Sequence, residues 1–509
     1  MATLISRNTD GTQGNDFSTA PVISADGKHI VFTSPADNLV SGDVNASADV
    51  FLHNLETGTT TLISRHSDGT QGDGDSFGAS VSAGGRFVTY HSLASNQGDG
   101  DTNLTFDIFL FDTTTNTTTL ISTAADGTAA NQASFNLVIS ADGRFIVYES
   151  LASNLVSGDV VGTADLFLYD TLTGTTTLVS KSTDGIFGND ASKGASISAD
   201  GRYITYESDA SNLVAGDTNN VPDVFLFDRV TGTTTLVSKA ADGTVGTGAS
   251  DNAQISANGK FIAYESSSTN LVSNDTNNAV NDIFVYDMEN DTTFLVSTNT
   301  SGTQGNFNSF KPSISADGNF IAFESEATNL VSRDTNVVRD IFVHDLTSGT
   351  TSIVSDPSGT TTADDLSQLS SISGTGEHVA YASDATNLIA LDGNAETDVF
   401  VSTNPLFVDM GMAYGWTTGW HMAWGIGWHQ GWSVGWYNGW GYGWYVGWYY
   451  GWYLGTSGWT VGWAVGWANG WTVGWNVGWH NGWHFGWTYG WNFGWQFGDH
   501  VGWSLETGT

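Results

Sequence analysis

The tetrapeptide TLIS at Thr3 returns at Thr61 and Thr119, becomes TLVS at Thr177 and Thr235, FLVS at Phe294 and SIVS at Ser352. The intervals are 58, 58, 58, 58, 59 and 58 residues, the one extra residue falling near Asn281. A period this constant means that one supersecondary unit recurs, and it overrides any domain count suggested by the length of 509 residues.

Within each unit the order is fixed. A TLIS strand leads through a polar loop of DGTQG type into a short apolar stretch ending in SADG, as at Val22–Gly27. An alternating run follows, such as RFIVYES at Arg144–Ser150, then a long polar loop, a strand such as DIFLFD at Asp107–Asp112, and a TGTT turn. Alternation over four to seven residues is strand periodicity, and no window sustains the i, i+3, i+4, i+7 spacing of a helix. Asp and Gly in SADG supply turn hydrogen bonds and positive φ. Four short strands per unit make a propeller blade. The fold class is therefore all-β, a seven-bladed β-propeller over residues 1–407 followed by a distinct region over 408–509. The last unit ends at Asp398–Ser402 without a TLIS of its own, while the chain opens on an unpartnered one. Residues Ala2–Ser6 are thus expected to complete the seventh blade, which leaves only short, protected sheet edges.

The units SADGRFIVYES and DIFVYD resemble the TolB-type propeller repeat, a WD-like family, across residues 1–407. The family turn is SPDG, where this chain has SADG, SAGG, SANG or SGTG. The resemblance implies the propeller fold. It implies protein–protein scaffolding as in some members, or the gating domain of a hydrolase as in others, and fold alone does not choose between them.

The long loop carries D-x-N-x-x-x-D. It occurs as Asp43, Asn45 and Asp49; Asp101, Asn103 and Asp107; Asp217, Asn219 and Asp223; Asp334, Asn336 and Asp340; and Asp392, Asn394 and Asp398. The fifth unit has Asp275, Asn277 and, one residue late, Asp282; the third has Asp159 and Asp165 with Val161 in place of Asn. Calcium takes six to eight oxygen ligands, and side chains at positions 1 and 3 of a tight loop can face one ion. The spacing resembles the start of an EF-hand loop without its distal bidentate Glu. Two readings stay open: these residues bind Ca2+, or Asp and Asn merely tie down turns through their own backbone. If calcium binds, the third unit is expected to be weakest.

No G-x-S-x-G, H-E-x-x-H, P-loop or C-x-x-C sequence is present. Histidine has no repeat position: His53 and His344 are equivalent, but other units mostly have Phe or Tyr there. The expectation is that the chain is not an enzyme. With 14 Lys+Arg against 53 Asp+Glu, a net charge of −39 repels phosphate backbones and attracts cations, so nucleic acid is not an expected partner. There is no Cys, which excludes disulfides and thiolate metal sites. The N-terminus MATLISRNTDG has no basic or apolar leader segment. The acidic composition, few Lys and Arg, and the ending WSLETGT resemble substrates of one-step bacterial export, although the nonapeptide repeat of that group is missing. An extracellular or cell-surface location is the expectation, with a cytoplasmic one the alternative.

All 21 Trp lie between Trp416 and Trp503, and no Asp, Glu, Lys or Arg occurs from Gly411 to Gly498. The unit is G-W-x-x, in two arms, 411–455 and 458–503, on either side of the GTSG at Gly455–Gly458. Read as strand, Trp and residues such as Val461, Val465 and Phe485 share one face while Gly and small or polar residues share the other. Read as helix, the Trp row drifts about 40° per unit, and each Gly costs about 1 kcal/mol. The strand reading is preferred, as a solenoid or an intermolecular sheet, since one extended arm would reach roughly 130 Å at 3.3 Å per residue. Trp exposed on this scale demands burial, so the expected partner is the chain itself, as a homo-oligomer or filament. A carbohydrate-binding adhesin using the Trp ladder, on a glycan or cell envelope, and a membrane-inserting β-hairpin oligomer are the alternatives. The five tail histidines, His421, His429, His480, His484 and His500, are read as polar-face positions.

Overall fold

A computed structural model describes residues 2–407 apart from 99, 102, 160–161, 278–279, 357–361 and 391; the Gly-Trp arms and their expected β-conformation lie outside the described residues. The chain divides into two units, Met1–Phe407 and Val408–Thr509. The first is built from twenty-eight strands in seven four-stranded sheets, with no helix among the described residues.

The first blade runs β2 (Thr19–Ile23), β3 (His29–Ser34), β4 (Asp49–Asn54) and β5 (Thr59–Leu62), each antiparallel to the next. Strands β6 to β25 repeat this meander in blades two to six. In the seventh, β26 (Ser367–Ile372), β27 (His378–Ser383) and β28 (Asp398–Thr403) are joined by β1 (Thr3–Leu4), with Thr3 opposite Val401 and Leu4 opposite Phe400. The N-terminal strand therefore closes the ring. Regular pairing is shorter than Ala2–Ser6, because beyond Leu4 the contact passes to the Ile5 N–H on the Val399 carbonyl (2.8 Å) and the Ser6 hydroxyl on Asp398 (2.5 Å).

The sequence alternation becomes cores shared between neighbouring blades. Val147 and Leu166 of blade three pack with Ile204, Tyr206 and Phe225 of blade four. At the closure Ile5, Ile23 and Phe32 pack with Ala380, Val399 and Val401. In six blades the second-strand aromatic stacks on the third-strand Phe, as Tyr206 on Phe225 at 5.8 Å. The turn glycine of SADG also meets the blade before it. Gly201 has φ +67°, and a Cβ there would lie 2.1 Å from Cδ2 of Phe145. Only glycine combines that backbone with so close an approach.

Candidate cation-binding loops

In each meander the loop between the second and third strands lies at the same end of the blade as the crossover from its fourth strand to the next blade. This topology brings the D-x-N-x-x-x-D loop against the DGTQG segment. The second Asp opens the third strand and is buried in every blade. Its Oδ1 accepts the hydroxyl of the TLIS-type serine: Ser6 to Asp398 (2.5 Å), Ser64 to Asp49, Ser122 to Asp107 (2.5 Å), Ser180 to Asp165 (2.7 Å), Ser238 to Asp223 (2.6 Å), Ser297 to Asp282 (2.6 Å) and Ser355 to Asp340 (2.6 Å). The same serine oxygen accepts the next backbone N–H of the strand, as Val50 on Ser64 at 3.1 Å. The invariant serine of the repeat is thus the partner of a buried carboxylate.

The asparagines serve the turn. Nδ2 of Asn45, Asn103, Asn219, Asn277, Asn336 and Asn394 donates to a crossover carbonyl, as Asn103 to Ala130 at 2.7 Å. Oδ1 of Asn45, Asn103, Asn219, Asn336 and Asn394 accepts the N–H two residues on, at 2.8–3.3 Å. These amides are engaged in Asx turns, the structural alternative weighed for the motif. Val161 lies outside the described residues.

What stands between the two carboxylates differs from blade to blade. In blade one, Nε2 of Gln71 donates to Asp43 (2.7 Å) and Asp49 (2.7 Å). Gln304 does the same for Asp275 and Asp282 (2.8 Å each), and Gln13 for Asp392 (3.0 Å) and Asp398 (2.6 Å). The equivalent residues elsewhere are Ala129, Phe187, Val245 and Thr362. In blade four, Asn219 Nδ2 reaches Asp223 Oδ2 (2.7 Å) instead. In blades two and six, Asp107 Oδ2, Asp340 Oδ2 and Asp334 Oδ1 are buried without a hydrogen-bond partner. Burial pushes Asp107 and Asp340 up to about 7, with repulsion from Asp101 and Asp334 adding to it. Asp49, Asp165, Asp223 and Asp282 are pushed up to about 6, again by burial first, and Asp398 in the same direction. The bridging glutamines were visible in the sequence as TQG in three units only. Linking them to the acid pairs required knowing which loops share an end of the blade.

A second acidic set is structural. Glu149, Glu207, Glu265 and Glu324 accept the backbone N–H of Gly194, Asn252, Lys311 and Leu369 on the next blade, at 2.6–2.9 Å. Among the described residues no group of three or more His, Cys, Asp or Glu side chains could hold a metal. Any ion at the loops must therefore draw on a carboxylate pair, backbone oxygens and water. Among the described residues no helix is long and apolar enough to cross a membrane.

No protein-family model and no curated protein matches the chain. Solved structures do. A protein described as TolB from Agrobacterium tumefaciens is 15% identical over 70% of this chain and 97% of that one, with a TM-score of 0.38. TolB from Acinetobacter baumannii is 14% identical over 70% and 76%, with a TM-score of 0.35. The seven-bladed ring itself is read from the strand order above. An acylaminoacyl peptidase in complex with Z-Gly-Gly-Phe-chloromethyl ketone is 10% identical over 78% of this chain and 53% of the peptidase, with a TM-score of 0.47. That neighbour corrects the expectation that the chain is not an enzyme. A peptidase stands among its structural neighbours, and fold alone decides activity in neither direction.

Proposed function

We propose that this chain is a secreted or surface-displayed scaffold. Its propeller is a protein-binding platform with calcium in the acidic loops, and its Gly-Trp region joins copies of the chain. The observation that carries this reading is the segregation of all 21 Trp into a stretch free of Asp, Glu, Lys and Arg from Gly411 to Gly498. A face of that kind needs another surface to cover it. The closed propeller supports the division of labour, since its first strand is already paired with its last blade. The acid pairs support the calcium, being oxygen donors in a chain without a thiol to compete.

Light scattering and electron microscopy of the full chain, beside a chain ending at Phe407, test the assembly. Large or filamentous species from the full chain alone are expected. Identical monomers from both would sink the self-association. Retention on insoluble glycan, or leakage of dye from liposomes, would then point to the adhesin or the membrane-inserting protein.

A further inference from the structure

We propose that blades two and six each hold a divalent cation between their paired aspartates, and that blades one, five and seven do not, because a glutamine amide already stands there. This rests on the calcium reading above and narrows it to particular blades. In the three glutamine blades one Nε2 lies 2.6–3.0 Å from an oxygen of each of two carboxylates. The gap is therefore one that takes a single positively polarised group. In blade two that group is missing, because Ala129 ends in a methyl. Ser122 occupies only Asp107 Oδ1, and Oδ2 of this fully buried residue makes no hydrogen bond of normal geometry: the Asn103 amide lies near the carboxylate but is directed to the Ala130 carbonyl. A close neighbour of Asp107 is the carboxyl of Asp101.

In blade six Thr362 is too short to bridge, and its hydroxyl is engaged by Asn336 at 3.1 Å. Oδ2 of Asp340 and Oδ1 of Asp334 are both left open in residues that are 0% and 5% exposed. Blade four has no such oxygen, since Asn219 serves Asp223, and among the described residues of blade three no buried carboxylate oxygen is left unpartnered. Blade one leaves one, Asp43 Oδ2, but Gln71 fills the gap. A buried carboxylate facing another must take up a proton or a cation. The donors are all oxygen, which selects Ca2+ over softer metals. Two carboxylates completed by backbone and water belong with sites in the range of about 10⁻⁴–10⁻³ M.

The test is calcium binding by the full chain at neutral pH, measured by equilibrium dialysis. About two equivalents per chain are expected, saturating over about 10⁻⁴–10⁻³ M calcium. Ala129→Gln should remove one of them, Ala129→Gln with Thr362→Gln should remove both, and Gln71→Ala should add one. Asp101→Asn is the second variant for blade two should Ala129→Gln not fold, and it too should remove one equivalent. No calcium uptake by any form would overturn the calcium reading itself. Uptake that Ala129→Gln, Thr362→Gln and Asp101→Asn leave unchanged would overturn the assignment to blades two and six while calcium binding stands.

Discussion

Replacing His53 by phenylalanine is expected to make the propeller resist acid. His53 is 0% exposed on β4. Its Nδ1 lies 2.9 Å from the Thr60 hydroxyl, which itself donates to the Arg7 carbonyl (2.5 Å). With that hydroxyl proton committed, Nδ1 is the donor, and a second N–H on Nε2 would find no acceptor, so the buried ring is neutral. Nε2 is buried without a partner. Burial, helped by the Arg7 charge, holds the imidazole down at about 4. The unfolded chain binds a proton there below about 6.5, whereas the folded chain does not until about 4. Stability from this group is whole above about 6.5 and is lost as pH falls toward 4. At about pH 4.5 the loss is roughly 2 kcal/mol.

A phenyl ring cannot titrate, and it fits this place. Phe111 and Phe227 hold the equivalent positions, under Arg65 at 5.2 Å and Lys181 at 5.5 Å, so Arg7 would gain the same cation–π contact. Urea unfolding followed by circular dichroism should show His53→Phe within about 1 kcal/mol of the parent at pH 7.5, the lost hydrogen bond being offset by apolar burial. At about pH 4.5 it should be roughly 2 kcal/mol more stable than the parent. Buried aspartates such as Asp107 act oppositely over that range, and the comparison cancels them because both chains carry them. An equal difference at the two pH values would refute the reasoning, since His53 would then be no more averse to a proton folded than unfolded.

Three further outcomes are expected. Ser6→Ala, which strips a donor from buried Asp398 at the ring closure, should cost about 1–3 kcal/mol in urea unfolding; no loss would mean that this contact does not help to hold the ring shut. Gly201→Ala should lower stability by about 1–3 kcal/mol through its positive φ, with the contact on Phe145 adding to this, and a neutral result in thermal unfolding would contradict the interblade packing. Tyr206→Phe removes a buried hydroxyl that makes no hydrogen bond of normal geometry, with Thr234 beside it, at a place where Phe32 and Phe323 already stack; its unfolding free energy should change by less than about 1 kcal/mol, and a larger loss would mean that Thr234 holds that oxygen.

The 58-residue period made the propeller legible before any coordinate, and the orphan TLIS at Thr3 made its closure legible as well. Both are one-dimensional facts: a period needs only spacing, and a missing partner strand needs only counting. The carboxylate loops were legible as residue types but not as chemistry. The same Asp and Asn that can ligate an ion can also cap a turn, and what decides is where their second oxygen points. Asn103 looked like a ligand because of its spacing from Asp101, yet its amide is spent on the Ala130 carbonyl and the Thr105 N–H. Gln71 looked like loop filler because its partner Asp43 lies 28 residues earlier. Only the shared end of the blade brings them together. Repetition then does what a single site could not. Seven copies of one scaffold, with glutamine, methyl, phenyl or hydroxyl at one variable place, are internal substitutions. On the second Asp of the motif, Oδ2 accepts the glutamine amide in all three copies that have one, and among the described residues it is left open only on Asp107 and Asp340, in two of the four copies that lack it; in blade four Asn219 takes the amide's place.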